Sequence, residues 1–193
     1  MAQWSLGLAI RSSSGYRGGV GGGVALRLVR AEDGATLAEG YRENREHLEP
    51  WEPTRDEEFF TEARQRAQIE KTLEAFAADA ALPLVLADGT RIVGRVNLTG
   101  IVRGAFQNAN LGYWVGASHE GRGLMTAAVA ATVQIARDEL HLHRVQAATL
   151  LPNKASQSVL RKCGFTESGV AADYLCIAGS WQEHRLFQRI LTT

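Results

Sequence analysis

The densest chemical signal in the chain lies between Gly112 and Val129, in the run GYWVGASHEGRGLMTAAV. A strand-like stretch enters a turn holding Gly121 and Gly123, then passes straight into an Ala/Val-rich helix. Glycine lets the backbone approach a ligand closely, and a helix start offers unpaired N–H groups with a favourable dipole. Together these features suit a phosphate or pyrophosphate. Taken alone, the same residues also make a tight strand-to-helix turn. The run matches neither G-x-x-x-x-G-K-S/T nor the full G-x-G-x-x-G, so a nucleotide P-loop and a dinucleotide fingerprint are both excluded.

A second informative stretch is NKASQSVLRKCGF, from Asn153 to Phe165. Asn153 is a helix cap, and Gly164 is the matching stop. Read alone it is a capped helix; one strand after the glycine loop, it becomes more specific. Other polar residues carry less. His141 and His143 stand two apart with no matching cysteine or carboxylate, so a strand edge explains them better than a metal site, and no metal is expected. His184 beside Glu183 reads as part of a strand, and Cys163 as packing. No Ser-His-Asp arrangement can be argued.

The elements that must position these motifs follow from periodicity. Val24–Arg30 reads as a first strand, residues 31–48 as a helix, and EPWEPT (49–54), with its two prolines, as a loop. Residues 56–79 predict a second helix, with apolar residues at three- and four-residue steps. Strands are expected over 82–87, 92–102 and 109–115, the first two joined by an Asp88-Gly89 turn. A buried helix within 120–140, a strand over 144–150, the capped helix, and strands over 165–177 and 183–191 complete the chain. The order β-α-α-β-β-β-α-β-α-β-β, without internal repeat, predicts a mixed α/β domain.

Composition narrows the class. The chain has 193 residues, 45% hydrophobic and 22% charged, as expected of one globular domain. Its apolar runs are too short to span a bilayer, so no membrane is expected as a partner. Two cysteines make no disulfide framework, and the opening residues lack the basic-then-apolar pattern of a secretory signal. A cytoplasmic protein is the expectation. Residues 1–23, with seven glycines and no acid, read as a flexible extension ahead of a domain over 24–193. Lys+Arg and Asp+Glu balance at 21 each, but unevenly: residues 1–30 carry +4, residues 31–80 carry −8, and residues 81–193 carry +4. Such asymmetry suggests two ligands of opposite charge, or simply solvated acidic helices. No lysine-rich stripe or zinc spacing points to direct nucleic-acid binding.

These motifs, in this order, resemble the GNAT N-acetyltransferase superfamily, whose phosphate loop follows (Q/R)-x-x-G-x-(G/A) and whose next helix follows N-x-x-(A/S)…G-F. The nearer resemblance is to its RimJ/RimL-like branch, the ribosomal-protein-alanine N-acetyltransferases. It is carried by LRLVRAED (26–33), ENREHLEPWEP (43–53), IVRGAF (101–106), LGYWV (111–115), EGRGLM (120–125), HLHRV (141–145), NKAS (153–156) and DYLCIAGSWQEHRL (173–186). Together these span about Leu26 to Leu191. The resemblance implies the GNAT fold, a mixed and mostly antiparallel sheet flanked by helices.

It also implies roles. Acetyl-CoA would be the donor, its pyrophosphate held by backbone N–H groups of Gly121, Arg122, Gly123, Leu124, Met125 and Thr126. Tyr113, Trp114 and Val115 would splay from the neighbouring strand and pair with the pantetheine like an added strand, one N–H stabilising the oxyanion. Asn153 would bond the pantetheine, and Lys162 would lie near the phosphates. The general-acid tyrosine of many relatives is replaced here by Leu160; Ser156 would serve instead, with Asp173 as base. Glu120, where the family has Gln or Arg, departs from the pattern. Glu46, Trp51 and Glu52 would receive the acceptor amine. An α-amine, with its lower pKa, suits a weak base better than lysine does, so a protein N-terminus attacking directly within a ternary complex is the expected acceptor. The alternatives are a small amine (an antibiotic, polyamine or amino-acid conjugate) or a CoA-binding sensor with weak catalysis. Monomer and homodimer stay open.

Overall fold

The computed structural model describes residues 18–21 and 23–191. Eight strands form a single sheet: β1 Gly18–Gly21, β2 Val24–Leu28, β3 Ala81–Asp88, β4 Arg91–Val102, β5 Asn108–Val115, β6 Arg144–Leu150, β7 Thr166–Ile177 and β8 Ser180–Ile190. Their spatial order is β1-β2-β3-β4-β5-β6-β8-β7, and every neighbouring pair is antiparallel except β5 with β6. Strand β3 (ALPLVLAD) is buried from Ala81 to Ala87 because helices cover both faces of the sheet around it.

On one face lie α4 Leu124–Asp138 and α5 Lys154–Lys162. Leu82, Leu84, Leu86, Val96 and Leu98 meet Ala128, Val129, Val133 and Leu160 there in the main core. The other face carries α1 Gly34–Glu43, the single turn α2 Arg45–Leu48, and α3 Glu62–Ala77. Leu37, Tyr41 and Ile69 pack there on Val85, Ile92 and Trp114. Alternating strand residues therefore serve two separate cores. Among the described residues no helix is long and apolar enough to cross a membrane.

Three boundaries differ from the sequence reading. Part of the expected extension, Gly18–Gly21, is a strand paired with β2 in the register Gly18↔Leu26 and Gly19↔Ala25; residues 1–17 and 22 lie outside the described residues. The helix expected over 31–48 breaks at Asn44, whose side chain turns to bonds of its own: Nδ2 donates to the Gly40 carbonyl at 2.8 Å, and Oδ1 accepts from Ala117 N–H at 2.9 Å. The helix expected over 56–79 is divided at Thr61. This residue is extended (φ −89°, ψ 151°), and its hydroxyl accepts from Arg64 N–H, so α3 starts afresh behind a 3-10 turn.

Candidate active site

The parallel pair at the centre of the sheet is short. Strands β5 and β6 are in register only at Asn108↔Arg144, Ala109↔Val145 and Asn110↔Gln146. From Leu111 onward β5 stays paired with β4 alone, through Leu98↔Leu111 to Gly94↔Val115. The two strands splay, and the facing edges of 111–115 are left for another extended partner.

Where β5 ends, the chain turns into α4. Gly121 and Gly123 have φ of +68° and +75°, the left-handed region that side chains with a Cβ rarely adopt. Gly123 caps α4, and no side chain bonds the first N–H groups of that helix. Those donors and the dipole are therefore free for an anion. Asn153 caps α5: its Oδ1 accepts from Ser156 N–H at 3.0 Å, which leaves its amide NH₂ to donate.

These parts enclose one cleft of about 410 Å³. It is lined by Tyr113, Trp114, Val115, Gly121, Gly123, Leu124, Met125, Thr126, Asn153, Ser156 and Lys162. Those are Ser156, the expected acid, and the expected coenzyme residues apart from Arg122, whose side chain is exposed. Trp51, expected to bind the acceptor, lines this same cleft. The residues fit a pyrophosphate and an extended arm: uncapped donors at a glycine turn, a lysine alongside, and an open strand edge.

Ser156 has a partner that the sequence reading missed. Tyr113 places its hydroxyl 2.8 Å from Ser156 Oγ and 3.1 Å from the Ser156 carbonyl oxygen. Burial pushes the Tyr113 phenol well above its ordinary pKa, with the Ser156 bond acting the other way. It therefore stays protonated and available as a donor. No single-sequence signal links a strand tyrosine to a helix serine 43 residues on. Leu160 is fully buried in the main core, so the position lost to leucine does not face the cleft. Cys163 is also buried, its thiol near the Thr126 carbonyl, and burial raises its pKa; it is a packing thiol rather than a reactive one.

Glu120 and His47 both line the cleft beside the glycine turn. The exposed Glu120 carboxylate lies 3.6 Å from His47 Nε2, and the same nitrogen is 3.2 Å from the Val115 carbonyl oxygen. His47 thus engages both the odd carboxylate and the end of the free strand edge. Asn44, through its bond to Ala117 N–H, holds the glycine loop against the α1–α2 break.

Two expected residues are not brought to the cleft. Asp173 is exposed on the edge strand β7, at φ +46°, within a bulge where pairing with β8 skips from Ala171 to Leu175. Strand β8 separates it from β6, and it does not line the cleft. Glu46 is exposed too. The buried residues of that turn are Asn44 and Leu48, and a residue two positions from each falls on the opposite side of a helix.

Glu52 lies elsewhere, on the other face of the sheet. There it lines a second pocket, of about 380 Å³, with Arg55, Gln65, Arg95, Asn97 and Gly112. Tyr113 and Trp114 border both this pocket and the cleft. Trp114 is fixed by Nε1–H donating to Tyr41 Oη at 3.1 Å. Burial raises the Glu52 carboxyl above the usual carboxylate range, and Arg55 and Arg95 offset this only in part.

Comparison with known proteins identifies the family. A family model described as acetyltransferase (GNAT) domain matches residues 24–166. The [ribosomal protein uS5]-alanine N-acetyltransferase of Escherichia coli (strain K12) is 36% identical over 165 residues, covering 84% of this chain and 85% of that protein. Among solved structures, the ribosomal-protein-S5-alanine acetyltransferase of Vibrio fischeri superposes with a TM-score of 0.85 at 32% identity, over 88% of this chain and 94% of that one. RimJ of Mycobacterium smegmatis, solved with a CoA-disulfide, gives a TM-score of 0.83 at 30% identity, over 86% and 81%. The chain belongs to the GNAT acetyltransferase family, as an N-acetyltransferase of its RimJ/RimL-like branch.

Proposed function

We propose that the protein transfers an acetyl group from acetyl-CoA to the N-terminal α-amine of a protein, with a ribosomal protein starting in alanine as the model acceptor. The observation that carries this reading is the pair of cavities on opposite faces of the sheet, meeting at Tyr113 and Trp114. Such a layout lets donor and acceptor be held together, and the amine attacks directly within a ternary complex. The Escherichia coli relative acts on the alanine of uS5, which supports the acceptor class, and the CoA-disulfide bound to the Mycobacterium smegmatis relative supports the donor.

Bound acetyl-CoA would supply an acetyl thioester, the electrophile. Backbone N–H groups from Gly121 to Thr126 would hold its pyrophosphate, with Arg122 contributing its backbone alone, and Lys162 would add charge. Asn153 and the open edge of Tyr113–Val115 would hold its arm. Tyr113, kept protonated by burial, lies 2.8 Å from Ser156 Oγ, where either hydroxyl can donate; with the Tyr113 O–H turned to Ser156 Oγ, the Ser156 Oγ–H would be free to protonate the leaving sulfur. On the acceptor side, Glu52 attracts the ammonium group, and its raised pKa makes it a better proton acceptor than an ordinary carboxylate. It takes the role first expected of Asp173. The cytoplasm, where ribosomal proteins are made, is the compartment that fits this chemistry.

The test is mass spectrometry of intact peptides beginning with Ala, Ser or Thr, incubated with acetyl-CoA. A gain of one acetyl group at the α-amine supports the reading. Transfer to free polyamines or aminoglycosides but to no peptide would replace it with the small-amine alternative; tight CoA binding without turnover on any amine would leave a sensor. Glu52→Gln and Asp173→Asn separate the two candidate bases, because only the true base should lower kcat/KM for peptide.

A further inference from the structure

The acceptor-side pocket holds polar atoms that the fold does not satisfy. Gln65 Oε1, Arg95 Nε and Asn97 Oδ1 are each buried without a hydrogen-bond partner, and all three residues line this one pocket. Gln65 is 0% and Arg95 only 7% exposed. Among the described residues, Arg95 has no carboxylate at ion-pair distance, and its guanidinium lies over no aromatic ring. Glu52, the only acid among the described lining residues, sits against Arg55, with Nε and Oε2 3.6 Å apart. Arg55, Arg64 and Arg95 leave the pocket positive.

An unpaired buried guanidinium is far more costly than a buried neutral group. Such a charge is best satisfied by an anion that arrives with a ligand, in a bidentate, charge-assisted pair. Unpartnered carbonyl oxygens on Gln65 and Asn97 call for N–H donors on the same ligand. A peptide carrying one acidic side chain supplies both. Position supports this. Arg95 is the register partner of Trp114, and Asn97 that of Gly112, where a Cβ would meet nothing within 4 Å. The pocket floor therefore lies over β4, one strand in from the free edge of β5 where the amine must react. Strands lie ~4.8 Å apart and an extended peptide advances ~3.3 Å per residue. With an amine at the free edge, the second residue's backbone lies over β5 and its side chain can extend toward β4.

We propose that this pocket selects acceptors with Asp or Glu as the second residue, Arg95 pairing with that carboxylate while Asn97 and Gln65 accept the peptide's N–H groups. The inference rests on the reading that a peptide N-terminus is the acceptor. Glu52 for the amine and Arg95 for the acid would make the pocket complementary to a short zwitterionic motif.

The test compares peptides identical except for Asp, Asn or Lys at position two. It measures kcat/KM from CoA release, and affinity by calorimetry with CoA present. The Asp peptide should exceed the Asn peptide about tenfold in both, as expected for a charge-assisted pair, with the Lys peptide weakest. In Arg95→Gln the Asp-to-Asn ratio should collapse toward one, and Arg95→Lys should restore part of it. Equal kcat/KM for the Asp and Asn peptides in the parent overturns the inference and leaves α-amine acetylation standing. So does an Asp preference that survives in a folded Arg95→Gln. If no peptide is acetylated while a small amine is, the acceptor reading fails instead. Should Arg95→Gln not fold, the parent peptide series decides alone.

Discussion

The two cavities that meet at β5 are built from different material. The coenzyme cleft is mostly backbone: a glycine turn at positive φ, an uncapped helix start and a strand edge freed by the β5–β6 splay, all from residues 111–126, completed by the capped helix α5. The proposed acceptor pocket is mostly side chain, gathered from α1, the loop after α2, α3, β4 and β5. A backbone site recognises chemistry common to every use of the fold, whereas a side-chain site can be retuned one residue at a time. On the proposed reading, donor choice would be fixed by the fold, and acceptor choice by what lines the far face.

Four changes would break or sharpen this contrast. The largest effect belongs to Ser156→Ala, which removes the proposed general acid from a mostly backbone site. Loss of a general acid predicts a kcat about 100-fold lower, with CoA affinity little changed in calorimetry; unchanged turnover would remove Ser156 from the chemistry. Next is Gly123→Val. A β-branched residue at φ +75° is strained by about 1–2 kcal/mol, which predicts CoA binding weaker by about tenfold. Peptide KM at saturating CoA should barely move, and an equal loss on both sides would mean that the cavities are not independent.

Gly112→Leu is the mirror experiment. It adds volume to the acceptor pocket at a position with open space and no positive φ. Kcat/KM for peptide should fall by several-fold to about tenfold, the cost typical of crowding a packed site, while CoA affinity holds. Smallest is a pH effect at Glu52. Its folded-state pKa is raised by burial, so its contribution to stability is fully present below the unfolded carboxylate pKa and is lost as pH rises through the folded value. Glu52→Gln cannot ionise. Its Tm relative to the parent should therefore climb as pH rises from about 4. A constant difference would show that burial does not penalise the charge.

Charge counted along the sequence differs from the charge lining the proposed acceptor pocket. Much of the acid of residues 31–80 stands at the surface, some of it in pairs such as Glu39–Arg42, Glu43–Arg91, Glu57–Arg45 and Glu62–Arg66. Exposed pairs of this kind contribute little to stability. The pocket those helices help to form is positive, because Arg95 reaches it from β4 and Arg55 and Arg64 from the helical segment. Segment totals average over faces that never meet.

What the amino-acid sequence determined by itself is the local machinery. Glycines at 121 and 123, Asn153 before a helix, and Gly164 after it act on their immediate neighbours through backbone conformation and capping, so their spacing alone predicts loop and helix. The α/β class and most elements follow for the same reason. Helix breaks at Asn44 and Thr61 were hidden because periodicity continues across them, while a hydrogen bond to the distant Ala117 and a fresh cap decide otherwise. Only the tertiary structure brought Tyr113 to Ser156, left Asp173 on an exposed bulge, and set Arg95 and Asn97 across from Trp114 and Gly112 beneath Gln65. Those meetings depend on strand register and on which helix covers which face. Register is settled by the packing of two cores at once, which no short window of sequence contains.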